Sequence, residues 1–157
     1  MSGSTATRLG DRLLSTLAAA RAADATAFEV ASTDLIALDR DGAGRVGLTQ
    51  AAVLAALLEH RHPDGLTGDD ARMVLERATR VGIVWWPALD ANILLSVLAG
   101  ALGVLDPDAE PYPATTLQLA QHAAILIADL LGPAEDPAPL VRSALAEIQR
   151  AQTIELP

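Results

Sequence analysis

The residues best suited to do chemistry lie in segment 38–48, which reads LDRDGAGRVGL. Asp39 and Asp41 stand at alternate positions and are followed by glycines, which permit a tight turn. Carboxylate oxygens are the ligands that calcium and magnesium prefer in proteins. The segment is therefore either a divalent-cation loop or a structural turn between two helices, and the residues alone leave both interpretations open.

With helices on both sides, residues 28–58 resemble a degenerate EF-hand, a helix-loop-helix family that binds calcium. If Asp39 is the first loop residue, Asp41 is the third and Gly44 stands at the glycine position of the family. Arg45 then stands at the position whose backbone carbonyl is a ligand. The resemblance implies a metal site on this loop.

Two loop positions depart from the EF-hand pattern. Ala43 offers no side-chain oxygen, and neutral Gln50 replaces the bidentate Glu of the family. We therefore expect weak or vestigial binding of calcium or magnesium, and no required cofactor. The candidate metal ligands are Asp39, Asp41, Arg45 and Gln50.

A second acidic segment, 105–111, reads LDPDAEP and also follows an apolar run. Asp106 is the first Asp of an LDxD run, as Asp39 is in the first segment. The repeated run suggests two similar helix-loop-helix halves. Pro111 occupies the glycine position, so the segment is not a second EF-hand, and a solvated proline-rich loop is the other interpretation. Two acidic turns between helices over residues 25–132 resemble a tellurite-resistance B-type helical domain, a family associated with metal binding and stress-response complexes.

The histidines do not form a recognisable catalytic set. His60 and His62 lie in EHRHPDG at a predicted helix end, where a cationic side chain complements the helix dipole; a metal site with Glu59 is the alternative. His122 shares a polar stripe with Gln118, Gln121 and Asp129, which we interpret as the exposed side of a helix or, alternatively, a line of ligand contacts. With no phosphate loop or nucleophile motif, we predict no catalytic residues.

Two features indicate protein contacts. Trp85 and Trp86 precede Pro87, which favours extended backbone with one indole directed inward and the other outward as a contact residue. Both are candidate interaction residues. Helix 88–103 carries small residues along one face, which suit either an intramolecular helix crossing or a partner helix. We expect a homodimer or higher oligomer and an unidentified protein partner.

Composition excludes several classes of function. Asp and Glu number 20 against 11 basic residues, all Arg, so the net charge of −9 disfavours nucleic acid and anionic membranes as partners. Cysteine is absent, which excludes disulfides and thiolate metal sites. No signal peptide or membrane-spanning run is recognisable, and we expect a cytoplasmic protein.

Apolar spacing predicts an all-α fold of six to eight helices in one domain, 1–157, with residues 1–4 disordered. Thr67 and Asp70 predict a capped fourth helix that ends at Gly82 and directs Met73 and Val81 inward, with Val74 and Ala78. The whole favours a non-catalytic interaction or regulatory module with a weak cation loop. The alternative is a small apolar-ligand carrier or enzyme with a pocket between helices 88–103 and 114–131, near His122 and Trp86.

Overall fold

The computed structural model describes residues 3–39 and 44–155, with the backbone alone at residues 3, 4 and 155. This part of the chain forms seven α-helices and no β-strand, which confirms the predicted all-α class. The helices are α1 Gly3–Arg21, α2 Ala25–Ala37, α3 Arg45–Arg61, α4 Gly68–Trp85, α5 Ala91–Leu102, α6 Thr116–Leu130 and α7 Ala138–Glu155.

Side-chain caps fix where several helices begin, because the first backbone N–H groups of a helix have no partner inside it. Asp24 and Asp90 accept such N–H groups at the starts of α2 and α5. Thr67 and Asp70 form the predicted capping box at the start of α4. Thr115 forms another with Gln118 at the start of α6.

Helix α6 is the central element of the fold. It packs against α1, α2, α3, α4 and α5, and residues 120–127 are all buried. Buried side chains from all seven helices form one hydrophobic cluster, with Phe28, Leu54 and Leu126 fully enclosed. Because α6 is central, polar side chains within 120–127 are buried together with the apolar ones.

Helix α4 differs from the prediction in two respects. It continues through Gly82 to Trp85, since Gly82 is buried and a Cβ there would lie 2.6 Å from Leu89 Cδ1, so the glycine serves close packing and does not end the helix. Met73 and Val81 are 64% and 48% exposed, so the prediction that they face inward is wrong. Helix α4 packs on α5 and α6 along one side only, through residues such as Ala78.

The remaining expectations concern the chain ends and membranes. Helix α1 begins at Gly3, within the segment 1–4 for which disorder was predicted; residues 1 and 2 lie outside the described part of the chain. Among the described residues, no helix has both the length and the apolar character needed to cross a bilayer.

Candidate binding groove

A groove of about 820 Å³ opens on the described surface. Its walls come from the end of α2, the first turns of α3, one face of α5, the segment 103–115 and the first half of α6. It lies between α5 and α6, the helices predicted as 88–103 and 114–131. His122 and Trp86, which were predicted to be near this pocket, do not line it.

Small residues and large apolar residues line the groove together. Ser96, Gly100 and Ala120 are among the small residues, and they allow another backbone or side chain to approach closely. The wall residues Leu95, Leu105, Tyr112 and Leu119 are 52%, 59%, 43% and 40% exposed. The groove is therefore open to solvent and presents an uncovered apolar surface.

The described charged residues that line the groove are all acidic. Asp39, Asp106 and Glu110 line it, and no Arg is among the described residues that do so. The two acidic segments, distant in sequence, thus both contribute carboxylates to the lining of one groove. A low-dielectric cleft bordered by carboxylates attracts cations and cationic side chains and repels anions.

The α2–α3 loop places only part of the candidate ligand set within the described residues. The Asp39 carboxylate accepts a hydrogen bond from the Arg45 backbone N–H at 3.2 Å. Gly44 has φ +69°, the left-handed conformation that glycine adopts without strain. Asp41 lies outside the described residues.

The other two candidate ligands have partners within the fold. Gln50 is 3% exposed, and its amide Nε2 donates to the Ala120 carbonyl of α6 at 3.0 Å. The Arg45 carbonyl, in the first turn of α3, accepts the Thr49 hydroxyl at 2.7 Å. Within residues 3–39 and 44–155, no group of three or more acidic or His side chains is arranged to hold a metal ion. Calcium or magnesium binding at this loop stays a prediction.

A polar contact attaches the groove wall to the core. His122 is 1% exposed, and its Nε2 accepts the backbone N–H of Asp90 at 2.9 Å. His122 Nδ1 lies 2.6 Å from the Gln118 carbonyl, so the neutral tautomer with Nδ1–H satisfies both bonds. Burial lowers the pKa of His122, and the Gln118 carbonyl and the Asp90 carboxylate oppose that shift. The Tyr112 hydroxyl donates to Asp90 at 3.0 Å and ties segment 103–115 to this contact.

The expectation that the polar stripe of α6 is its exposed side is wrong for Gln121 and His122, which are 4% and 1% exposed. Gln121 Nε2 donates to Glu29 and to the Ser32 hydroxyl, both at 3.1 Å. These residues are buried because α6 is surrounded by other helices. The polar atoms of Gln121 find partners on α2, and those of His122 pair with the Asp90 backbone N–H and the Gln118 carbonyl. The stripe is structural and does not line the groove.

The two Trp residues differ in burial, as predicted, but both contact the core. Trp86 is 4% exposed, and its indole N–H donates to Glu29 at 2.8 Å. Trp85 is half-buried and lines a second cleft of about 240 Å³ beside Val81. Both indoles meet Phe28 edge to face, with centroids 5.1 and 5.3 Å away. Their role in interactions stays a prediction.

Sequence reasoning missed the exposed wall of the groove. Leu95, Leu105 and Leu119 resemble ordinary core residues in an apolar stretch, and their exposure depends on how far α5 and α6 separate. One signal was available: Ser96 and Gly100, part of the small-residue face of the predicted helix 88–103, lie in the groove.

Comparisons with protein-family models, with curated proteins and with solved structures give no match to the chain. The functional proposal therefore rests on the groove itself.

Proposed function

We propose that the protein is a non-catalytic interaction module whose groove binds the apolar face of a basic helix. The observation that carries this proposal is the open groove of about 820 Å³ with an apolar lining and three carboxylates. Helix-in-groove recognition requires an apolar trough that accepts side chains spaced three, four and seven residues apart. The groove offers such a trough, and the partner helix would come from another protein or from another copy of this chain.

The shape of the groove supports a helical partner over an enclosed ligand. Leu95 and Leu105 remain more than half exposed, so a small molecule would leave much of the wall in water. A helix laid along the groove would cover the exposed leucines while its side chains pack beside the small lining residues. The volume also lies within the range of small-molecule sites, roughly 300–1,000 Å³, which favours the apolar-ligand carrier as the second candidate.

The negative charge of the groove favours a partner helix that carries positive charge. Asp39, Asp106 and Glu110 would face the polar flanks of a bound helix, and Arg or Lys there would complement them. The proposal includes weak binding of calcium or magnesium by the Asp39 loop as a regulatory element, since a cation there would reduce the negative charge of the same groove.

Binding of a synthetic helix tests the proposal. A fluorescently labelled amphipathic peptide of Leu and Arg is titrated with the protein, and its anisotropy should rise at micromolar protein. A peptide with the same Leu positions and Glu in place of Arg should bind at least tenfold more weakly. Gly47→Leu should weaken binding of the Arg peptide at least tenfold. Gly47 lines the groove and a Cβ there meets no atom within 4 Å, so the Leu side chain would occupy the groove without a clash at its Cβ.

Gly68→Leu is the matched control, since Gly68 lies outside the groove and also has open space at its Cβ. Equal binding by wild type, Gly47→Leu and Gly68→Leu would overturn the proposal. If the neutral dye Nile red binds in a Gly47-dependent manner and neither peptide does, the carrier function replaces it.

A further inference from the structure

Helix α4 carries an apolar face directed away from the core. Met73, Arg80, Val81 and Val84 follow one stripe of the helix, and we call them the α4 outer face. Met73 is 64%, Val81 48% and Val84 82% exposed. Three exposed aliphatic side chains on one helical stripe are the pattern of a helix that packs against a partner.

The one charged residue of this face, Arg80, is opposite in sign to the carboxylates that line the groove. Residues 77–85 contain two Arg and no acid, although the chain as a whole is acidic. Arg77 donates to Asp129 of α6 at 3.3 Å, and Arg80 is exposed on the outer face. Arg77 is thus paired within the fold, so Arg80 is the cation that the second half of α4 offers to the groove. Arg80 lies one turn beyond the exposed Glu76, which pairs with Arg72.

We propose that the groove of one copy binds the α4 outer face of a second copy. This inference rests on the proposed function and names the partner helix. Val81 and Val84 would lie between the leucine walls, with Arg80 near Asp106 or Glu110 at the edge. Ser96 and Gly100 also line the groove, where Leu105 Cδ1 lies 3.6 Å from the position of a Cβ at Gly100, so Leu105 and the two small residues would form one side of the contact. Charge complementarity favours this orientation over groove against groove, which would bring six carboxylates together, twice the three that line each groove.

The contact joins two different surfaces of the chain, so it is heterologous. Each copy offers one α4 outer face and one groove, and association either continues head to tail or closes into a ring. The apparent mass of the protein should therefore rise with concentration above the 16.3 kDa of the single chain.

Light scattering after size exclusion, over a range of concentrations from micromolar to several hundred micromolar, tests this. Val84→Glu should hold the protein at the mass of one chain, because it places a carboxylate against the acidic groove. Gly47→Leu should do the same by filling the groove. Val30→Glu is the matched control: Val30 is 59% exposed on α2, outside both surfaces, and this variant should associate as wild type does.

A mixture of the two defective variants gives the decisive result. Val84→Glu retains the groove and Gly47→Leu retains the α4 outer face, so an equimolar mixture should form a dimer that cannot extend. A monomeric mixture, or equal association by Val84→Glu and Val30→Glu, overturns the inference. If wild type stays monomeric while the Arg peptide binds in the groove, this inference fails and the proposed function stands.

Discussion

At the scale of single residues, the buried polar side chains show how the core and the groove are connected. Glu29 on α2 receives both the Trp86 indole N–H and the Gln121 amide. Trp86 also meets His122 edge to face at 5.2 Å, and His122 holds the backbone of Asp90. Trp86, which directly follows α4, therefore contacts both α2 and α6 near the start of α5.

Replacement of Trp86 by Ala should lower the free energy of unfolding by about 3–5 kcal/mol, because it leaves a cavity and removes one of the two hydrogen-bond donors to Glu29. Trp85→Ala should cost less, since Trp85 is half-exposed, and should weaken self-association, because Trp85 borders Val81 in the neighbouring cleft. Urea denaturation and light scattering measure the two effects. Equal destabilisation with unchanged assembly would show that both residues serve only the core.

At the scale of helices, local signals were predictable and orientation was not. The Thr67–Asp70 capping box depends on residues three apart in sequence, and it formed as predicted. The sequence also predicts an apolar stripe on α4, but the spacing of apolar residues does not indicate which side of the helix its neighbours cover. Met73 was therefore assigned to the core, and His122 to the surface, in error.

The groove illustrates the same limit. Its small residues are recognisable in the sequence. Segment 103–115 also forms part of its lining, and that segment is held by the Tyr112 hydroxyl, which donates to Asp90, 22 positions earlier. That Asp39 and Asp106 line the same groove likewise follows from the packing of α3 and α5 on α6 and not from any local pattern.

The loop between α2 and α3 should bind calcium weakly, with a dissociation constant above micromolar, because two EF-hand ligand positions lack suitable oxygens. Calorimetric titration of the metal-free protein with calcium, and separately with magnesium, measures this. Asp39→Ala combined with Asp41→Ala should abolish the heat, and Asp108→Ala in the other acidic segment should not. No heat and no shift in melting temperature at several millimolar calcium would rule out the site, and submicromolar binding would contradict the weak ligand set.

At the scale of the whole molecule, stability should depend on pH mainly through His122 between pH 8 and pH 5. The pKa of His122 is lowered from its ordinary 6.5 because the ring is buried. The pKa of Asp90 is also lowered, chiefly by its hydrogen bond from the Asn92 N–H, so this carboxylate stays charged across that range. Protonation of His122 would remove the acceptor of the Asp90 backbone N–H and release the start of α5 from α6.

The unfolded chain takes up the His122 proton near pH 6.5 and the folded chain only at lower pH. The free energy of unfolding should therefore be constant with respect to this group above that pH. Below it, this free energy should fall by up to about 1.4 kcal/mol per pH unit until the folded-state pKa is reached. Urea denaturation at a series of pH values measures the slope. His122→Gln should lower the free energy of unfolding at pH 8 and reduce its decrease at lower pH. His60→Gln, at the exposed end of α3, should show the same decrease as wild type. An unchanged slope in His122→Gln would assign the pH dependence to other groups.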